Sequence, residues 1–196
     1  KNKVFADETM SDSLAVAGTS FEVLMTYMRE VLLQRNVLRQ QYVLDPDSVS
    51  KTLLDAADKK VSEARVKLIA SYNPNAHQVR IGELITLVIS TDEDGPEASL
   101  TILKSHLNSN PYDSNRQFML AAIHKKLGNF DDSIIEAQKI IDAPQQTVGI
   151  YAVEQFATRP LAAHLLLQAT IEQALQVENE SEKKAFVVQA EKYFEV

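Results

Sequence analysis

The chain lacks cysteine and tryptophan, and its 196 residues include only five glycines and six prolines. Without cysteine it cannot form disulfides, use a catalytic thiolate or bind zinc through sulfur. An all-β chain needs more turn residues than this, so the scarcity of glycine and proline favours helices. No apolar run approaches the roughly 20 residues that a membrane-spanning helix needs, which predicts no span in this chain. These absences are compatible with a location in the cytosol and with a location in a bacterial envelope.

The residues that are present are those of an ordinary globular protein. Apolar residues make up 45% and charged residues 24% of the chain, which argues against disorder. The net charge is -7, and no stretch of sequence concentrates basic residues. Because phosphate binding needs a basic surface, we expect no nucleic-acid partner.

Apolar spacing predicts a long helical hairpin near the N-terminus. Residues 1–12 are polar and are expected to be flexible. From Ser20 to Leu44 the apolar positions recur every three or four residues, and Asp45-Pro46-Asp47-Ser48 breaks the pattern before a second helix that runs to about Tyr72. We therefore assign residues 13–75 to a hairpin packed on the rest of the chain. Three arginines lie on its first helix and offer a face for an acidic partner or a second copy: Arg29, Arg35 and Arg39.

The remainder of the chain also has helical spacing, with eight or nine helices expected in total and no convincing strand. Leu84–Ile89 has strand-like composition, but its flanks favour a buried helix. A weaker helical segment covers 145–158, and Pro160 is placed at the start of a further helix, since proline fits the first helical position. A polar turn at 178–182 precedes the last helix.

The stretch from Asn110 to Pro144 has the form of a repeat unit. Two amphipathic runs flank a tight turn at Leu127–Phe130, and such a unit cannot bury its apolar faces without similar neighbours. The prolines that close successive helices, Pro74, Pro111 and Pro144, are 37 and 33 residues apart. These separations bracket the roughly 34-residue period of helix–turn–helix repeats.

Residues 114–147 resemble the tetratricopeptide repeat (TPR) family. Leu120-Ala121 match its large–small pair, Gly128 takes the turn, and Phe130 takes the aromatic position that opens the second helix. The resemblance implies an all-α fold in which antiparallel hairpins stack as a right-handed solenoid over residues 79–196, after the longer N-terminal hairpin. Residues 80–113 and 160–196 match more loosely. Three positions depart from the family pattern: His124, Ser133 and Ile140.

The resemblance implies a binding surface and not an active site. In TPR stacks the first helices of successive repeats line a concave groove, here with an apolar floor and a basic rim. We therefore expect an interaction scaffold or adaptor, a module of a larger assembly that binds a protein or peptide without a cofactor or metal. The match to the peptide-carboxylate clamp of the family is partial, so an amphipathic helix or extended segment suits the groove better. The implied groove residues are Ile81, Leu84, Val88, Asn115, Phe118, Ala122, Lys125 and Lys126.

An alternative function is a helical domain that binds a small molecule or lipid, or a non-catalytic subunit of an enzyme complex. An enclosed apolar pocket with a few polar groups would favour it. The acidic cluster at 92–97 lacks the ligand spacing of a calcium loop. Asp131 and Asp132 are explained as residues at a helix N-terminus, and the four histidines form no i, i+3 or i, i+4 metal pair.

The last helix, 185–196, is amphipathic to its final residue. A terminal repeat normally has a polar outer face. The pattern therefore predicts self-association through this helix, or its membership of a longer repeat array.

Overall fold

The structure, a computed structural model, describes residues 20–91, 94–144 and 150–193. These residues form eight α-helices and no strand, which confirms the all-helical prediction. The chain divides into two compact units, Lys1–Gly95 and Pro96–Val196. The segment expected to be flexible, 1–12, lies outside the described residues.

The first unit contains three helices and a short 3₁₀ turn, and the second unit contains the other five helices, the first of which begins at the boundary. In the first unit these are α1 (Phe21–Leu44), α2 (Lys51–Ser71), the turn Gln78–Arg80 and α3 (Ile81–Ile89). The others are α4 (Gly95–Ser109), α5 (Ser114–Lys126), α6 (Phe130–Asp142), α7 (Ile150–Gln176) and α8 (Glu180–Tyr193). No helix in the described ranges is both long and apolar enough to cross a bilayer.

Serine caps and one proline set the limits of the N-terminal hairpin. The hydroxyl of Ser20 accepts a hydrogen bond from the Val23 N–H at 3.4 Å, and Ser50 caps α2 in the same way. These bonds satisfy amide groups that have no partner within the first turn of a helix. At the other end of α1, Asp45 is extended, as expected for a residue before proline.

The core of the first unit lies in the half of the hairpin next to α3. Apolar side chains of α1, α2 and α3 are almost fully buried there, which confirms that Leu84–Ile89 is a buried helix. The other half of the hairpin exposes much of its apolar surface. The buried set is Leu24, Met25, Met28, Val61, Leu68, Ile81, Leu84, Ile85 and Val88. The exposed set is Val37, Val43, Leu44 and Leu53.

Two buried arginines hold the C-terminal end of α3. Arg35 of α1 exposes only 3% of its surface and donates hydrogen bonds to the carbonyls of Ser90, at 2.9 Å, and Thr91. Arg65 of α2 donates to the Thr91 hydroxyl at 3.0 Å. The last carbonyls of a helix lack intrahelical partners and carry partial negative charge. Arg35 therefore satisfies these carbonyls, Arg65 bonds to the hydroxyl beside them, and together the two side chains join all three helices.

We predict that Arg35→Ala lowers the free energy of unfolding by about 3 kcal/mol, because it leaves buried carbonyls without donors and opens a cavity. The matched control is Arg39→Ala, one turn further along α1, where the arginine makes an exposed 2.7 Å ion pair with Asp58. An exposed pair of this kind contributes less than about 1 kcal/mol. Urea unfolding of the whole chain, followed by circular dichroism, measures both. Equal losses in the two variants would contradict the anchoring role of Arg35.

In the second unit, α5 and α6 form the hairpin that the sequence predicted. Asp113 caps α5, and its carboxylate accepts a hydrogen bond from the Arg116 N–H at 3.0 Å. Gly128 ends the hairpin's first helix with φ 78°, a left-handed conformation that glycine adopts without strain. The N–H of Asn129 returns to the carbonyl of His124 at 2.9 Å. The chain therefore reverses within three residues, and the two helices pack as antiparallel neighbours.

Small residues at the centre of the second unit allow its helices to approach closely. α7 packs against both α5 and α6, and α8 packs against α7. Alanines from three helices lie at the meeting point, with larger aliphatic side chains filling the space between them. This core cluster consists of Ala121, Ala137, Ile140, Ala162, Leu165 and Leu166.

The predicted helix start at Pro160 is wrong. α7 is one helix from Ile150 to Gln176, and Pro160 lies inside it. An internal proline costs about 3 kcal/mol or more, because it removes one hydrogen bond and crowds the preceding turn. Part of the weak segment predicted at 145–158, residues 145–149, lies outside the described residues.

Contacts with α6 explain why α7 continues as a single helix on both sides of Pro160. The side chain of Gln155 donates to the carbonyls of Ala143 and Pro144 at 3.3 and 3.1 Å. One turn later, Arg159 donates to the carbonyls of Ile141 and Ala143 at 3.0 and 2.9 Å. These bonds cap the C-terminal end of α6 and hold the turn of α7 just before Pro160. Tertiary packing thus overrides the local preference of proline.

Candidate partner-binding surface

In the second unit, α5 and α7 lie side by side and run in the same direction. Near the end of α5, the Lys125 ammonium donates to the Gln168 side chain at 3.1 Å and pairs with Glu172 at 2.9 Å. Near the start of α5, the Asn115 side chain lies beside the Glu154 carboxylate. The first residues of α5 therefore lie beside the first residues of α7, and the last residues of α5 lie beside the second half of α7. The two helices therefore form a parallel pair with a polar contact near each end.

The end of this pair near Asp113 concentrates ionisable groups. Burial alone would raise the pKa of Asp113, but hydrogen bonds from His106 and the Arg116 N–H, together with the charge of Arg116, lower it below its usual value. His106 is fully buried, with its Nε2 2.8 Å from the carboxylate. For Glu154, burial and the nearby charge of Asp113 raise the pKa, although Asn115 and Arg116 oppose the shift. This end thus holds one firmly ionised carboxylate and a second that protonates more readily.

An exposed apolar stripe runs along α7 beside its contacts with α5. We call this the α7 stripe, and it consists of Val153, Ala157, Leu161, Ile171 and Leu175, with His164 and Gln168 completing the helical spacing. Val153 exposes 69% and Leu175 78% of its surface. Residues at this spacing share one side of a helix. The apolar residues form two groups, Val153 to Leu161 and Ile171 to Leu175, with the polar His164 and Gln168 between them.

Of the groove residues predicted from the sequence, the five on α5 lie together. Phe118 and Ala122 are half-buried and pack against the core cluster. Asn115 and Lys125 are half-buried, Lys125 is bonded to α7, and Lys126 is exposed. The structure therefore places this set along the side of α5 that meets α7.

The three groove residues predicted on α3 lie in the first unit. Ile81, Leu84 and Val88 are each fully buried in the core of that unit. Their side chains contact other core residues and present no surface to a partner in this structure. The structure does not bring them together with the α5 residues within one unit.

The arginine face predicted on α1 is engaged within the first unit. Arg29 pairs with Glu83, and Arg39 pairs with Asp58. Arg35 is buried against the end of α3. The sequence showed three charges on one helix, but the partners that occupy them are distant along the chain.

The sequence does not predict the α7 stripe, because a helix start placed at Pro160 assigns the stripe to two separate helices. Val153 and Ala157 were assigned to one weak segment, and Leu161 to a new helix. A helical pattern continued through the proline would have shown the same spacing on both sides of it. The helical spacing is therefore present in the sequence, but the general rule that a proline ends or starts a helix hides its continuity.

Acidic and histidine side chains in the described ranges do not gather into a group of three that could hold a metal ion. Asp131, in the first turn of α6, accepts a hydrogen bond from Gln173 at 2.6 Å. His77 stacks on Phe21 with 4.0 Å between ring centroids. Asp92 and Glu93, from the acidic cluster, lie outside the described residues.

Comparisons with models of protein families, with curated proteins and with solved structures find no match for this chain. The resemblance to TPR proteins therefore rests on the residues of the central repeat alone.

His124 is a buried histidine at the end of α5. Both ring nitrogens lack a hydrogen-bond partner, and the nearest acidic group, Asp132, lies 3.6 Å from Nδ1. Burial lowers its pKa below 6.5, assisted by the charge of Lys104 and opposed by those of Asp132 and Glu136. The folded chain therefore keeps this imidazole neutral at pH values where the unfolded chain protonates it.

We predict that the free energy of unfolding falls as the pH drops below 6.5, since the unfolded chain then binds this proton more readily than the folded chain. The slope attributable to His124 reaches at most about 1.4 kcal/mol per pH unit. His124→Phe, which keeps an aromatic ring, removes that slope. Urea unfolding above and below pH 6.5 measures it. His164→Phe, the same substitution at an exposed position, serves as the control. An unchanged slope in His124→Phe would contradict the assignment.

Proposed function

We propose that this chain is a TPR-like interaction module, a scaffold or adaptor that binds an amphipathic helix or extended segment of a partner protein. The partner lies along the α7 stripe, beside the α5 residues Asn115, Phe118, Ala122, Lys125 and Lys126. One observation carries the proposal: exposed apolar side chains follow the length of a helix that is otherwise packed into the second unit. The resemblance of the central repeat to a protein-binding family supports the same function.

The length of the stripe suits a peptide. From Val153 to Leu175 it extends over about 33 Å, at 1.5 Å per residue. A helical partner of similar length would place apolar anchors at i, i+3 or i+4, and i+7 against it. Covering each exposed Val, Leu or Ile contributes about 1–2 kcal/mol. After the cost of association, this amount is consistent with affinity in the micromolar range and not with tight binding.

Charged groups near the stripe favour one orientation of the bound partner. Glu154 lies at the end near the start of α7, and Lys126 is exposed at the end of α5. The Lys125–Glu172 pair lies beside the second half of the stripe. Charged groups at the edge of an interface select orientation and raise association rates more than they raise affinity. We therefore expect a partner that carries an acidic residue near the exposed Lys126.

We predict that peptides selected on the whole chain from a displayed random library share apolar residues at helical spacing. Their binding is expected to be lost in Leu161→Asp, because the new carboxylate would be buried in the middle of the stripe. Fluorescence anisotropy with a labelled selected peptide measures the dissociation constant for wild type and variant. The expected weakening is at least about tenfold, which corresponds to about 1.4 kcal/mol.

The matched control is Leu53→Asp in the first unit. Leu53 is 48% exposed and Leu161 is 50% exposed, so both substitutions place a carboxylate at a similarly accessible leucine. Leu53→Asp is expected to bind the peptide as the wild type does. If no peptide is selected, or if both variants bind equally well, the proposed surface is wrong. Circular dichroism confirms that each variant is folded.

A further inference from the structure

A second apolar surface lies between α7 and α8. It is an open groove of about 470 Å³, and we call it the terminal groove. On the α8 side it is lined by Lys183, Phe186, Val187, Ala190 and Glu191. Most of the remaining lining consists of aliphatic side chains of α7, including Leu175. Val187 is 54% exposed, so the groove presents apolar surface to water.

The charges of the terminal groove are arranged symmetrically about its centre. Lys183 lies four residues before Val187, and Glu191 lies four residues after it. All three line the groove, since positions four apart share one side of a helix. α8 therefore carries a positive charge, an apolar centre and a negative charge along one face, and Lys183 also makes an exposed 3.0 Å ion pair with Glu180 in the preceding turn.

This order of charges is self-complementary for one orientation only. If two copies of α8 lie antiparallel and cross at Val187, Lys183 of each copy faces Glu191 of the other. A two-fold axis at Val187 then produces two equivalent ion pairs around an apolar contact. A parallel pair would instead place lysine against lysine and glutamate against glutamate, which opposes association.

We propose that the terminal groove binds a second copy of this chain through an antiparallel α8–α8 contact centred on Val187. Each α8 fills the groove of the other copy, and the exposed part of α7 beside it completes a four-helix interface. The terminal groove shares Ile171 and Leu175 with the α7 stripe but does not include Leu161. The dimer does not depend on the proposed peptide binding.

The dimer is tested with the whole chain by sedimentation equilibrium from low micromolar to several hundred micromolar concentration. The wild type is expected to change from monomer to dimer across this range. Val187→Glu brings two carboxylates together at the two-fold axis and is expected to leave only monomer. Val188→Glu is the matched control, since Val188 has the same 54% exposure but lies outside the groove lining. It is expected to dimerise as the wild type does.

A charge exchange tests the antiparallel geometry. Lys183→Glu places like charges opposite each other twice and is expected to raise the dimer dissociation constant by about tenfold. The double variant Lys183→Glu with Glu191→Lys restores both pairs in reversed order and is expected to restore dimerisation. A wild type that is monomeric throughout overturns the proposal. A dimer that Val187→Glu leaves intact, that Val188→Glu disrupts equally, or that the double variant fails to restore also overturns it.

Discussion

The structure depends on capping the ends of helices that stop inside the protein. In both units the terminal carbonyls of one helix receive hydrogen bonds from long side chains of another helix. Arg35 caps α3, with Arg65 bonded to the Thr91 hydroxyl next to it, and Gln155 and Arg159 cap the C-terminal end of α6. An unpaired buried carbonyl costs about as much as a lost hydrogen bond. The same bonds that remove this cost also fix the positions of the helices that supply them.

This capping determines which side of α7 is exposed. Gln155 and Arg159 point towards α6, and the buried residues Ala162 and Leu166 continue that inner side. At 100° per residue, the positions of the α7 stripe fall away from that side, next to α5. The exposure of the α7 stripe is therefore a consequence of how α6 ends.

Local structure could be predicted from the sequence to a large extent, because it depends on neighbouring residues. Apolar spacing predicted α1, α2 and α3, and the Gly128 turn predicted the α5–α6 hairpin. The candidate surface was predicted only on its α5 side. Pro160 concealed the continuity of α7, since a local rule cannot include the bonds from Arg159 to α6. The burial of Arg35 was hidden for the same reason: its carbonyl partners lie 55 and 56 residues away in sequence.

Pro160 also has a mechanical consequence for α7. Because proline has no N–H, the carbonyl of Phe156 receives no hydrogen bond from it, and the helix is weakest at this turn. The α7 stripe passes across this point, with Val153 on one side and Ile171 on the other. A rigid partner bound along the whole stripe would restrain this turn of α7 against bending. Any bending of α7 at this turn would change the distance between the apolar residues on its two sides.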